Sequence, residues 1–124
     1  MASREKIGKD FAFLKGRVDA VLLFGSHAKG KAAPRSDVDI CIVAPGKDPA
    51  ALVRSAWQRL GAAYDVHAFE ELPLHIKMEV INHHTPLYVR DLPALHEYFY
   101  FWRKLWADEA HRQALTAEEV REML

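Results

Sequence analysis

Apolar positions recur along this chain with two periods, and they predict helices alternating with short strands. Ile7, Phe11 and Leu14 share one helical face, so residues ~4–16 are expected to form an amphipathic helix closing near Gly16. Ala20 to Phe24 is wholly apolar and stops at Gly25, the pattern of a central strand buried on both faces. A second strand is expected from Asp37 to Val43, ended by the turn PGKDP. Asp48 then caps a helix with Pro49 at its first position, and Leu52, Ala56, Trp57 and Leu60 supply a buried stripe before Gly61 ends it. Tyr64 to Phe69 alternates as a third strand. PLHIKMEVIN reads as a short helix, and PLYVR as an edge strand, because its proline cannot donate to a ladder. An aromatic helix is expected from Leu92 to about Ala107, and Thr116 with Glu119 forms a capping box for a last helix, which makes residues ~92–124 a helical C-terminal segment. This order implies an α+β fold, a small mixed β-sheet with helices packed on it.

No internal repeat, low-complexity tract or linker interrupts the 124 residues, so 1–124 is read as one domain. Seventeen basic and seventeen acidic residues cancel, which gives no strong nucleic-acid signal and no steering toward an anionic membrane. Any anion binding must therefore be local. A single cysteine, Cys41, excludes an intramolecular disulfide and a cysteine-based metal knuckle. The polar start MASREKIGKDFAF and the absence of any ~18-residue apolar run lead to the expectation of a cytoplasmic protein with no membrane partner.

The chemistry concentrates in LLFGSHAKGKAAPRSDVDICIV, Leu22 to Val43. Gly25 to Lys31 fits the start of a P-loop, G-x-x-x-x-G-K, but that motif needs a Ser or Thr after the lysine to ligate Mg²⁺, and Ala32 stands there. Pro34 also leads toward a strand rather than into the helix a P-loop opens. A second interpretation uses every residue. Gly25 ends a strand and lets the backbone pass close to a ligand. Ser26 opens a short helical turn whose amides face an anion, and Lys29 and Lys31 add local positive charge. Asp37 and Asp39 then stand at i and i+2 on a strand, so their carboxylates project side by side from Cα atoms about 6.5–7 Å apart. Carboxylates so close repel one another unless a cation neutralises them, and hard oxygen ligands select Mg²⁺ or Mn²⁺. A pair of such ions could hold the attacking and leaving oxygens of a phosphoryl displacement.

Gly25-Ser26, ten residues, then Asp37-x-Asp39 resembles the signature of the DNA polymerase beta-like nucleotidyltransferase superfamily. The stretch GSHAKGKAAPRSDVDICIV is similar, nearly position for position, to the pattern of the minimal (MNT) branch, and the short chain suits that branch. The resemblance implies the minimal polymerase beta-like fold, two Mg²⁺ ions (or Mn²⁺), and ATP as the nucleoside triphosphate substrate. It implies a third carboxylate on a later strand, for which Asp65 in AYDVHAFEEL is the strand-like candidate, on one face with His67 and Phe69; Glu70 and Glu71 are the fallback. Asp37, Asp39 and Asp65 are then the catalytic and metal-binding set, with Gly25, Ser26 and Lys29 holding the leaving phosphates. Ser36 joins that nucleotide-binding side or simply ends the loop. Lys29 departs from the usual arginine, which keeps the charge but loses the planar fork.

The remaining candidates are weaker. Adjacent His83 and His84 diverge on any regular backbone and read as a helix-end pair. Cys41, one step deeper on the aspartate face, reads as core filler. The stripe Tyr98, Phe99, Tyr100, Phe101, Trp102 and Trp106 is apolar nearly all round, so one side is expected to pack on the core and the other to meet a protein partner. The chain has no room for the acceptor domain of larger superfamily members. Minimal members resembling it pair with a small helical HEPN protein, act as antitoxins, and transfer AMP to a tyrosine of that toxin. The expectation is therefore an adenylyltransferase antitoxin with a HEPN-type partner, a homo-oligomer, or both. An aminoglycoside-type small-molecule transferase and a non-catalytic binding antitoxin are the alternatives.

Overall fold

A computed structural model describes residues 3–25 and 38–123, with the side chains of 113–120 and 123 not considered. Helix α1, Arg4–Asp10, is capped by the Ser3 side chain, which accepts from the Lys6 amide at 3.1 Å. The helix expected over ~4–16 divides, because a separate 3₁₀ turn at Ala12–Leu14 follows it and brings Leu14 inward beside Ile7 and Phe11. Strand β1, Ala20–Phe24, is buried at all five positions. Strand β2, Asp39–Val43, lies antiparallel to it, and strand β3, Asp65–Ala68, runs parallel to β2. Strand β4, Thr85–Val89, pairs with the other side of β1, with its proline opposite Leu22 beside a register shift. The sheet order β3-β2-β1-β4 makes β3 and β4 the edges.

The sheet is covered on both faces. Val21, Leu23, Ile40 and Ile42 meet Ile7, Phe11 and Leu14 from the N-terminal helical region and Ala56 from helix α2, Pro49–Leu60. Ala20, Leu22, Cys41 and Val43 meet Val80 and Ile81 of helix α3, Leu74–Asn82, and Leu95 and Phe99 of helix α4, Leu92–Met123. This two-sided cover is why β1 reads as an unbroken apolar run. Asp48 caps α2 by accepting from the Ala51 amide, and Gly61 ends it at φ +64°.

Two expectations fail here. Trp57 does not join the buried stripe of α2; it is 64% exposed, while Ala56 is fully buried. Helix α2 packs against the edge strand β3, and a residue one position from its contact line turns about 100° past the edge of the sheet. The C-terminal helices expected on either side of Thr116 are one continuous helix of 32 residues, about 48 Å long. No glycine or proline lies between Leu92-Pro93 and its end, and the residues around Thr116 are mostly Ala, Leu, Glu, Gln and Arg, good helix formers, so the capping-box spacing falls inside a helix that nothing stops. Among the described residues no helix is long and apolar enough to cross a membrane.

Candidate active site

The strand registers align one end of the sheet. Phe24 is the partner of Asp39 across β1 and β2, and Asp39 is the partner of Asp65 across β2 and β3. Phe24, Asp39 and Asp65 therefore lie in a row across three strands, with Gly25 just past the end of β1. Side chains of directly opposed residues share a face, so Asp39, Asp65 and, two residues on, His67 project together above Cys41 and Phe24. The Asp39 side chain is 27% exposed and that of Asp65 52%.

Gly25 is needed at its position for two reasons. Its φ of +74° lies in the left-handed region, and a Cβ added there would run into the Asp39 carboxylate. The backbone thus passes against the acid rather than leaving room for a side chain.

His67 is the residue that sequence reasoning placed on this face without giving it a role. Its Nε2 lies 3.1 Å from Asp65 Oδ2 and 3.9 Å from Asp39 Oδ1, and its ring meets Phe24 edge-on with centroids 5.7 Å apart. One ligand atom from each of Asp39, Asp65 and His67 fits within 4.8 Å of the others. Two carboxylate oxygens and an imidazole nitrogen at that spacing form a donor set suited to a divalent cation. Only the period-two alternation of Asp65 and His67 hinted at this, because a lone histidine on a strand carries no motif.

The structure brings Asp39 and Asp65 side by side, with Gly25 against Asp39. Asp37, Ser26, Lys29 and Ser36 lie outside the described residues. Of the fallback acids, Glu70 is engaged elsewhere: its carboxylate accepts from the Ala44 amide at 3.1 Å and from the Tyr98 hydroxyl at 2.9 Å. Beside it the Lys77 ammonium, buried, donates to the Glu70 and Leu72 carbonyls and lies 4.6 Å from the Trp102 ring centroid. Burial pushes the Lys77 pKa down and the Cys41 and Tyr98 pKa values up, with Glu70 raising the latter two further. Cys41 is therefore an inert thiol in the core rather than a nucleophile. His83 caps the end of α3, and His84 Nδ1 lies 2.8 Å from the Val80 carbonyl, a helix-end pair.

Open space flanks the edge strand. A cleft of about 360 Å³ is lined by Trp57, Ala62, Tyr64 and Asp65. A wider groove of about 550 Å³ continues along β3 between Arg54, Trp57, His67 and Glu71. Exposed Trp57 forms a wall of both.

Comparison with known proteins agrees with this geometry. The family model described as Polymerase beta, Nucleotidyltransferase matches residues 5–92, which include the whole row from Gly25 to Asp65. The chain belongs to that family. A protein of Methanocaldococcus jannaschii, provisionally named a protein adenylyltransferase, is 42% identical over 96 residues, covering 77% of this chain and 75% of that one. A chain of a toxin–antitoxin crystal structure with AMP-PNP superposes with a TM-score of 0.68 at 20% identity, covering 96% of this chain and 99% of its own. A chain from the complex of a tri-AMPylated Shewanella oneidensis HEPN toxin with an MNT antitoxin gives 0.63 at 17% identity, covering 94% and 95%. At those identities the two structures establish the α+β nucleotidyltransferase fold.

Proposed function

We propose that this chain is a Mg²⁺-dependent nucleotidyltransferase that moves AMP from ATP to a hydroxyl of a HEPN-type toxin and thereby acts as its antitoxin in the cytoplasm. The observation that carries the proposal is the pairing of Asp39 with Asp65 at one end of the sheet, with Gly25 against the Asp39 carboxylate, in a member of the polymerase beta nucleotidyltransferase family. The 42%-identical relative's name supports protein adenylylation, and the toxin–antitoxin neighbours support the partner.

Asp39 and Asp65, with Asp37, would hold two Mg²⁺ ions, or Mn²⁺ in their place. Bound there, the cations offset the charge of the triphosphate and of the departing pyrophosphate. Gly25, which follows β1, together with Ser26, Lys29 and Ser36, would hold the β- and γ-phosphates. In an in-line displacement the attacking and leaving oxygens lie on opposite sides of the phosphorus. With the leaving group at β1, the acceptor hydroxyl arrives from the β3 side, where the cleft between Trp57 and Asp65 lies open. Its oxygen bonds to the α-phosphorus as the bond from that phosphorus to the bridging oxygen of the β-phosphate breaks. The hydroxyl proton passes to a carboxylate oxygen of Asp65, and pyrophosphate departs. Exposed Tyr100, Phe101 and Trp106 on α4 give the partner an apolar surface.

The test is incubation with ATP labelled at the α-phosphate, Mg²⁺, and a HEPN-type toxin partner. Label on that protein, lost in Asp39→Asn, is the expected result. Tight binding without label would make the chain a contact-only antitoxin. Label on an aminoglycoside but on no protein would make it a small-molecule enzyme.

A further inference from the structure

We infer that His67 is a direct nitrogen ligand of the cation held by Asp39 and Asp65, and that it tilts the site toward a first-row transition-metal dication such as Mn²⁺ over Mg²⁺. The inference rests on the proposed metal role of the two aspartates and adds the identity of the ion to it.

Three observations carry it. First, the atom of His67 nearest the carboxylates is Nε2, at 3.1 Å from Asp65 Oδ2 and 3.9 Å from Asp39 Oδ1. A six-coordinate ion with bonds of about 2.1 Å places neighbouring ligands about 3 Å apart and opposite ones about 4.2 Å apart. The first separation matches neighbouring ligands, the second falls between the two limits, and all three atoms lie within 4.8 Å of one another, so small side-chain rotations bring them onto one ion without rebuilding the strands. Second, the backbone fixes the histidine there. His67 follows Asp65 by two residues on β3, its register partner is the fully buried Cys41, and Phe24 meets its ring edge-on. Its side chain is 35% exposed, so the ring is held at the rim rather than sealed in the core. Third, the chemistry of the set is mixed. Mg²⁺ is a hard ion that keeps oxygen ligands and waters, whereas imidazole raises the affinity of a site for transition-metal dications.

The competing role for His67 is a hydrogen bond from Nε2–H to Asp65 that only orients the carboxylate. The two roles differ in what the metal sees. With Mn²⁺ as the probe, added to the full-length protein without nucleotide, electron spin-echo modulation reports nitrogen bound directly to the ion. A directly bound ¹⁴N is expected, changed to the ¹⁵N pattern when the wild-type protein carries ¹⁵N-histidine, and absent in His67→Asn. Calorimetric titration of the same proteins should show Mn²⁺ affinity falling at least about tenfold in His67→Asn, with Mg²⁺ affinity changing less than about threefold. The ¹⁵N experiment needs no variant and so stands even if His67→Asn folds poorly. Mn²⁺ bound by oxygen alone, with an unchanged Mn²⁺ to Mg²⁺ ratio in His67→Asn, would overturn the inference and leave the aspartate site intact. Absence of Mn²⁺ and Mg²⁺ binding in the wild-type protein with ATP present would overturn the inference together with the metal-dependent function.

Discussion

Replacing Gly25 by alanine puts a methyl group against the Asp39 carboxylate, and its effects on stability and on activity are separable. The added Cβ would stand 3.2 Å from Asp39 Cγ and 3.4 Å from its Cβ, with a carboxylate oxygen closer still. The carboxylate is at a partly exposed rim and can turn aside, so the fold survives while the acid moves by about 1 Å. A φ of +74° costs an L-residue about 1–2 kcal/mol, which for a domain of this size lowers the melting temperature by roughly 4–8 °C. Misplacing a reacting or metal-holding group by about 1 Å costs on the order of 100-fold in rate. Gly46 supplies the control: its φ is +80°, yet nothing lies within 4 Å of a Cβ added there. Gly25→Ala and Gly46→Ala should therefore lose similar amounts in a thermal melt. Only Gly25→Ala should lose about two orders of magnitude in label transfer from ATP. Equal transfer rates for the two variants would refute the idea that Gly25 is glycine because of Asp39.

Other expected outcomes follow from particular contacts. Trp57→Ala should leave melting and ATP binding nearly unchanged, because the ring is 64% exposed, and should raise the concentration of acceptor needed for half-maximal transfer. Lys77→Met leaves the Glu70 and Leu72 carbonyls without their buried donor and should destabilise by about 2 kcal/mol in denaturant unfolding. The Asp10 carboxylate, hydrogen-bonded by the Tyr64 hydroxyl and then by Lys6, is held below the ordinary carboxylate pKa. Its contribution to stability is present above pH ~4 and is lost as pH falls through the lowered value. Tyr64→Phe should accordingly flatten part of the acid limb of the melting curve. Phe101→Asp, at a position 57% exposed whose ring meets Trp102 edge-on, should destabilise by only about 1 kcal/mol and abolish co-purification with the partner.

The sheet and the core of the site were legible because both rest on short-range pattern. An apolar run ended by glycine located β1, and period-two alternation put Asp65 and His67 on one face of their strand, while the family resemblance alone set that face beside Asp39. What failed depended on extent rather than period. The spacing of Leu52, Ala56, Trp57 and Leu60 defines a helical face, but not how far the sheet beneath it reaches, so Trp57 hangs beyond β3. The Thr116–Glu119 pair has the spacing of a cap, yet a cap forms only where the preceding chain leaves the helix, and the residues after Ala107 give it no reason to leave. His67 was invisible as a ligand because its meaning lies in two strands meeting in register, which no local stretch of sequence contains.

The most direct test of the account is intact-mass spectrometry of the toxin partner after incubation with ATP, Mg²⁺ and either the wild-type chain, Asp39→Asn or Asp65→Asn, each shown by its melt to be folded. Addition of AMP by the wild type is expected, with a loss of at least about 1,000-fold in rate for either variant, since each acid would hold the cations that offset transition-state charge. AMP added at wild-type rates by both folded variants would contradict it.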